Sequence, residues 1–243
     1  MTELPFPRVR QEISRQAADP PRSAADPLAP ETPQQPPESP PIRVARVVPE
    51  TVAEGPGNRF ALWVQGCTIR CPGCFNPQYW TSRGGTEMSA AELFAMIPER
   101  RVEGVTLLGG EPFEQAAALA PFTRLVQDAG LTVMSFTGYT LEQLEARAAA
   151  GDTATEQLLA ATDLLIDGPF IREDLDHERP WVGSRNQGFH TLTPRYSHLQ
   201  GAWQQLPDRL EITVAADGTT AVNGWADSET LDALFAELRR TKQ

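Results

Sequence analysis

Apolar and polar positions change period along this chain, and each change marks an element. From Ile42 to Val48 apolar residues alternate with charged or small ones, the period of two of an edge strand. Pro56-Gly57-Asn58 reads as a turn, and the apolar run Phe60 to Val64 as a second strand that leaves the sheet at Gly66. Ser89-Ala90-Ala91-Glu92 has the spacing of a capping box and predicts a helix through about Ile97. Val105 to Leu108 is wholly apolar or β-branched and ends in Gly109-Gly110, as a buried parallel strand would. Residues 114–129, rich in Ala, Leu and Gln, predict a helix stopped by Gly130. The pattern repeats with a strand over 131–136, a helix from Thr140 with Gln143 completing a capping box, and a strand over 163–167. Strand and helix alternating at this spacing predict an α/β fold, whose ligands gather outside the carboxyl ends of the strands.

Residues 171–209 have no clear period and read as a long irregular segment, a length of loop that is usually functional. After it come a predicted hairpin, Leu210 to Ala215 and Thr220 to Asn223 around Asp217-Gly218, and a helix with Leu231, Leu234, Phe235 and Leu238 on one face. Residues 1–41 carry about half of the 22 prolines and almost no aromatic or β-branched residues. So little apolar surface cannot offset the cost of ordering a backbone, and this arm is predicted to be disordered. A proline-rich docking arm is the alternative, but the segment has no clean recognition repeat. Residues 42–243 then read as one domain, because 243 residues suffice for one substantial core plus tails.

Composition narrows the partners. A net charge of −11 argues against a nucleic-acid grip, which needs clustered Lys and Arg. No apolar run approaches the roughly 20 residues of a membrane span, and the first residues lack the layout of a signal peptide. A cytoplasmic protein without a membrane partner is the expectation. All 3 cysteines lie within one eight-residue loop, so no disulfide framework is expected.

That loop carries the chemistry. Cys67, Cys71 and Cys74 are spaced Cys-x3-Cys-x2-Cys directly after the second strand. Fully extended, eight residues reach roughly 25–30 Å, so the three sulfurs meet only if Gly66, Pro72 and Gly73 curl the loop. Structural zinc takes four ligands, usually as two close pairs, and electron-carrying iron–sulfur clusters take four cysteines. His177, His190 and His198 lie far downstream without paired spacing. A [4Fe-4S] cluster on three thiolates would leave one iron open to a small molecule. A zinc knuckle completed by a distant histidine and three bystander thiols are the competing readings.

The Cys-x3-Cys-x2-Cys loop resembles the signature of the radical S-adenosylmethionine (SAM) superfamily. The wider stretch from Gly66 to Pro77 is similar to the activating proteins of anaerobic ribonucleotide reductase. Gly109-Gly110-Glu111-Pro112, Thr137-Gly138-Tyr139-Thr140, Asp167-Gly168-Pro169-Phe170 and Gly183-Ser184-Arg185-Asn186-Gln187 follow in that family's order, over roughly residues 42–225. Many radical SAM proteins carry an aromatic residue before the third cysteine; this chain has Gly73, as the activating proteins do.

The resemblance implies a partial, open (β/α) barrel of mostly parallel strands with a C-terminal hairpin and helix. It implies a [4Fe-4S] cluster on Cys67, Cys71 and Cys74, and SAM as second cofactor. Gly109, Gly110, Glu111 and Pro112 would meet the methionine end of SAM, with Glu111 or its neighbours fixing the amine. Gly73, Cys74 and Phe75 would pack near the adenine, although Phe75 equally suits a core. Thr137 would reach the carboxylate or ribose, or simply organise its turn. Asp167 is a candidate contact whose plainer role is to hold the Gly168-Pro169 turn. The roles of Arg185, Asn186 and Gln187 stay open, and no catalytic side chain is assigned beyond the cluster and SAM. The implied reaction is reductive cleavage of SAM to a 5′-deoxyadenosyl radical that installs a glycyl radical on a partner enzyme. An electron donor of flavodoxin or ferredoxin type would supply the electron. The alternatives are a radical SAM enzyme with another peptide, protein or small-molecule target, and a non-enzymatic zinc or electron-transfer module. Trp181, Arg185, Tyr196 and Trp203, in the irregular segment, are of the types that anchor protein interfaces.

Overall fold

The computed structural model describes residues 39–98, 101–207, 209–214 and 220–224, together with 232, 233 and 236. The arm expected over residues 1–41 falls almost wholly outside these residues, as does the apolar face of the C-terminal helix. From Glu38 onward the chain forms one compact unit.

Its centre is a seven-stranded sheet. The strands are β1 (Ile42–Thr51), β2 (Arg59–Val64), β3 (Thr86–Met88), β4 (Gly104–Gly109), β5 (Thr132–Phe136), β6 (Leu164–Asp167) and β7 (Gly188–Thr191), in spatial order β3-β1-β2-β4-β5-β6-β7. β2, β4, β5 and β6 run parallel, in register Trp63 to Leu108, Leu107 to Ser135 and Phe136 to Ile166. The other pairings, β1 with β2, β1 with β3 and β6 with β7, are antiparallel. Among the described residues the α-helices between these strands are α1 (Ala90–Ala95), α2 (Ala116–Asp128), α3 (Leu141–Ala149) and α4 (Thr153–Ala160). Both capping boxes form: Ser89 with Glu92 opens α1, and Thr140 with Gln143 opens α3.

Side-chain parity sorts the parallel strands into two faces. Phe60, Leu62, Val64, Val105, Leu107, Val133 and Leu165 pack with Leu93, Leu119, Phe122, Leu144 and Leu158 of the helices. The alternate positions, Ala61, Trp63, Leu108, Met134, Leu164 and Ile166, face the other way. Both sets are buried, which is why these strands read as unbroken apolar runs. Each buried Leu, Ile or Phe contributes about 1.5–3 kcal/mol, so the helical face carries most of the fold's stability. The helices cover one face of an open sheet, leaving the other face at its carboxyl edge for a site.

Several elements differ from the sequence reading. β1 is not the sheet's edge, because the short strand β3 pairs outside it. The segment 171–209 is not wholly irregular: β7 adds to β6, and residues 194–199 and 203–205 form 3₁₀ turns. The helix expected over 114–129 begins as a 3₁₀ turn at Pro112–Gln115 and becomes α2 at Ala116. Asp152 caps the additional helix α4 by accepting from the Thr155 backbone N–H at 3.0 Å. The two strands of the predicted hairpin pair, β8 (Leu210–Val214) antiparallel to β9 (Thr220–Gly224), while Ala215 and the expected Asp217-Gly218 turn lie outside the described residues.

At the amino ends of the strands, on the face without helices, Arg59 is fully buried. Its guanidinium donates to Thr106 Oγ1 and Thr132 Oγ1 at 2.8 Å, to Tyr196 Oη at 2.7 Å and to the Val105 carbonyl. These hydroxyls and carbonyls replace water around a charge that burial disfavours. Arg59→Ala is expected to lower stability by about 2–4 kcal/mol, combining a cavity with orphaned acceptors, while Arg59→Met recovers part of that loss. Urea denaturation measures both, and an unchanged midpoint for Arg59→Ala would rule out this anchoring role.

Candidate functional site

β2 ends at Val64 and delivers the cysteine loop; β4 ends at Gly109 and delivers Gly110-Glu111-Pro112. Gly110 N–H donates to the Val64 carbonyl at 2.7 Å and Glu111 N–H to the Gly66 carbonyl at 2.8 Å, so the two loops leave the sheet side by side. A Cβ on Gly110 would sit 2.0 Å from the Gly66 oxygen, and one on Gly109, where φ is +102°, 2.6 Å from the Val64 nitrogen. The glycine pair is therefore needed for loop-to-loop approach, and both glycines also line the cleft of the three cysteines. On its other side the loop is held by Gly66 N–H to Tyr79 at 2.8 Å and Cys67 N–H to Trp80 at 3.1 Å. Glu114 accepts from the Thr68 backbone N–H at 2.9 Å and from the Thr68 hydroxyl.

Within this frame the loop curls. Arg70 adopts φ 53°, rare for a residue with a side chain, and the backbone N–H groups of Ile69 and Arg70 reach the Cys67 sulfur. The Phe170 N–H reaches the Cys71 sulfur, and Asn76 N–H donates to Cys74 Sγ at 3.4 Å. All three thiols are free and partly buried. Burial pushes the Cys67 and Cys71 thiols up, against these N–H groups, and the Glu111 carboxylate pushes them further the same way. Bound metal would reverse that, since coordination removes the thiol proton.

The three cysteines line one cleft of about 160 Å³ with Gly109, Gly110, Glu111, Pro112 and Thr137. Among the described residues no three His, Cys, Asp or Glu side chains converge as a ready cage for a single ion. A mononuclear zinc, about 2.3 Å from each sulfur, needs thiolates almost in contact, whereas a cluster spreads them over separate irons. Three soft donors around a shared cleft, each met by a backbone N–H, fit an iron–sulfur cluster, whose sulfurs are commonly hydrogen-bonded. Trp80 also lines the cleft, and its indole Nε1 is buried without a protein partner.

Glu111 is the charged group of this cleft, 1% exposed. Its Oε1 accepts from Thr137 Oγ1 at 2.8 Å and Phe113 N–H at 3.0 Å, and its Oε2 from Gly138 N–H at 2.8 Å. Burial outweighs these three donors and pushes the carboxyl up to about 7. A cation in the cleft would reverse the balance. Thr137, besides holding Glu111, accepts from the Tyr139 N–H at 3.1 Å and so fixes its own turn.

The other predicted residues separate. Gly73 has φ +85° and lies beneath the Arg172 side chain, while Phe75, 54% exposed, lines an adjoining cavity rather than the cleft. Asp167 lines neither: it accepts from Leu141 N–H at 2.6 Å and Gly188 N–H at 3.1 Å, and lies 3.0 Å from His190 Nε2. Gln187 lines both spaces; its side chain donates to the Gly168 carbonyl at 3.2 Å and accepts from Gly183 N–H at 2.8 Å. Asn186 donates to the Pro169 carbonyl at 2.7 Å, and Arg185 pairs with Asp174 at 3.4 Å on the surface. Ile69, Trp80 and Phe136 also line the cleft and were not singled out in the sequence: Ile69 is an intervening position between the first two cysteines, Phe136 is the last residue of β5, and Trp80 lies in a stretch without a motif.

No helix among the described residues is long and apolar enough to cross a membrane. Comparison with known proteins places these motifs. Residues 53–190 match the family described as 4Fe-4S single cluster domain. The anaerobic ribonucleoside-triphosphate reductase-activating protein of Pasteurella multocida is 36% identical over 156 residues, 60% of this chain and 94% of that protein. The protein of the same name from Vibrio cholerae is 34% identical over 155 residues, 60% of this chain and 95% of that one. Among solved structures, QueE from Escherichia coli aligns with a TM-score of 0.32 at 21% identity, over 42% of this chain and 54% of that one. With three-fifths of its length matching almost the whole of such relatives, the chain belongs to the family of anaerobic ribonucleoside-triphosphate reductase-activating proteins, built on a 4Fe-4S single cluster domain.

Proposed function

We propose that this chain is a radical SAM enzyme that installs a glycyl radical on an anaerobic ribonucleotide reductase. One observation carries the reading: three cysteine sulfurs and a buried carboxylate line the same cleft at the carboxyl edge of a parallel sheet. Cys67, Cys71 and Cys74 would hold the cluster. Held there and reduced, the cluster would supply the electron for reductive cleavage of SAM, the chemistry by which a hydrogen is taken from glycine.

The chain's own groups bind, orient and exclude water. Glu111, fixed by Thr137 and the Phe113 and Gly138 N–H groups, receives the ammonium of SAM, and that positive charge stabilises its ionised form. Gly109 and Pro112 shape the wall beside it. Gly73 and Cys74 stand where the adenine would lie, and Phe75 lines the adjoining cavity. Asp167 acts at one remove, pinning the start of α3 and of β7. A flavodoxin- or ferredoxin-type donor would supply the electron to the cluster, and the cytoplasm is the compartment in which such a donor and the reductase would meet.

The direct test mixes anaerobically purified protein with the reductase of the same organism, SAM and a reductant. A glycyl-radical signal in electron paramagnetic resonance is expected. Cys67→Ala, Cys71→Ala and Cys74→Ala should each lose both the iron and the radical. Colourless protein with stoichiometric zinc would refute the cluster; SAM cleavage without a radical on the reductase would redirect the enzyme to another target.

Glu111 gives a second test. Its folded pKa of about 7 lies above its ordinary 4.5, so the native state keeps a proton that the unfolded chain has already released. The stability it contributes is therefore complete below about pH 4.5 and lost as pH rises through 7. In the SAM-free protein, Glu111→Gln should gain stability relative to wild type as pH is raised from 5 to 8, as read by urea denaturation. A pH-independent difference would place the carboxylate in a solvated setting.

A further inference from the structure

Beside the cleft lies a second cavity, of about 430 Å³, within the range that bound ligands fill. It opens on the sheet face without helices, with Trp63 and Leu108 in its lining, and shares Cys74 and Gly109 with the cleft. Whatever occupies it lies next to the cluster loop. Its far wall is the strand β9, through Val222, Asn223 and Gly224. These residues lie beyond the 4Fe-4S match, which ends at residue 190.

The hairpin is attached by polar contacts. Glu211 accepts from the Thr51 hydroxyl and, at 3.1 Å, from the Val52 N–H; Gly224 N–H donates to Glu54 at 3.1 Å. None of its described side chains belongs to the apolar core clusters. The third clamp faces the cavity. Arg46 Nη2 donates to Asn223 Oδ1 at 2.7 Å, and its Cζ stands 5.0 Å from the Trp63 ring. Asn223 is 5% exposed, so this pair is held in one arrangement. A guanidinium fixed by one amide oxygen and one ring keeps further N–H donors for an occupant. Glu54 in the same lining offsets its charge, so the cavity favours neutral oxygen acceptors over a free carboxylate.

Resting on the activating function above, which brings a glycine-bearing segment of the target beside the cluster loop, we infer that Arg46 and the C-terminal hairpin hold that segment in this cavity. In this arrangement the C-terminal hairpin is its specificity wall. Arg46 donates to backbone carbonyl oxygens of the segment. Asn223 is the positioning residue that aims Arg46, and Val222 sets the width beside it. A peptide backbone supplies neutral acceptors at regular spacing, which is what one fixed fork between aromatic walls can read.

The test uses the full chain with its cluster and SAM, and a fluorescein-labelled synthetic peptide spanning the radical-bearing glycine of the reductase, followed by fluorescence anisotropy. Wild type should bind. Arg46→Gln and Asn223→Leu should each weaken binding by about tenfold or more, the loss of one charge-assisted hydrogen bond. Asn223→Asp, which still holds Arg46, should restore affinity, an outcome that a purely structural role for Asn223 does not produce. Val222→Trp, which fills the cavity, should abolish binding while iron content and melting temperature show a folded protein. Peptide affinity unchanged in Arg46→Gln and in folded Val222→Trp overturns the inference. So does a wild type that activates the reductase yet does not bind the peptide, in which case the activating function stands. Failure of wild type to place a radical on the reductase counts against that function itself.

Discussion

Two backbone hydrogen bonds, from Gly110 to Val64 and from Glu111 to Gly66, tie the cysteine loop to the loop that carries the buried carboxylate. They extend the β2–β4 pairing past the sheet's edge, so the register Val64 to Gly109 also sets where Cys67 and Glu111 stand relative to each other. The approach is so close that only glycine fits at 110, where the Gly66 oxygen fills the space a Cβ would take. A side chain there would push the loops apart and split the sulfurs from the carboxylate. Everything proposed for the site depends on this contact: it builds one cleft from two loops more than 40 residues apart in sequence.

The sheet carries a buried charge at each end, handled differently. At the amino end Arg59 is surrounded by hydroxyls and carbonyls that satisfy it, and it serves the fold. At the carboxyl end Glu111 has three donors and is still pushed towards neutrality by burial. A carboxylate left under that tension favours a cationic ligand, because the ligand relieves the cost of the buried charge. The same contrast separates structural from functional acids nearby. Asp167 accepts backbone N–H groups at two element ends and lines neither cavity, whereas Glu111 lines the cleft.

Much of this was legible in the sequence because local signals and tertiary structure agree. The capping boxes at Ser89 and Thr140 form, and the apolar runs at 60–64 and 105–108 are parallel strands buried on both faces. The cysteine loop and Gly109 to Pro112 lie together because both follow strand ends of one sheet. What escaped has a common cause. β3 and β7 are three and four residues long, without buried side chains, and exist because a neighbouring strand offers an edge. α4 follows Gly151, whose φ of +98° ends one helix and starts another where the composition reads as continuous. Trp80 and Ile69 enter the cleft through loop geometry, which no periodicity encodes, and Phe136 enters it from the end of β5. The cavity wall made by β9 was equally invisible: the hairpin was predicted, but its contact with Arg46, 177 positions away, is a tertiary fact.

The central claim is that three thiolates hold one [4Fe-4S] cluster whose remaining iron is reserved for SAM beside Glu111. Mössbauer spectroscopy of protein loaded with iron-57 reads that arrangement directly. Adding SAM should shift the signal of a single iron site of the cluster and leave the others in place, and Glu111→Ala should require far more SAM for the same shift. A spectrum in which all iron sites respond alike, or none responds, would contradict the account.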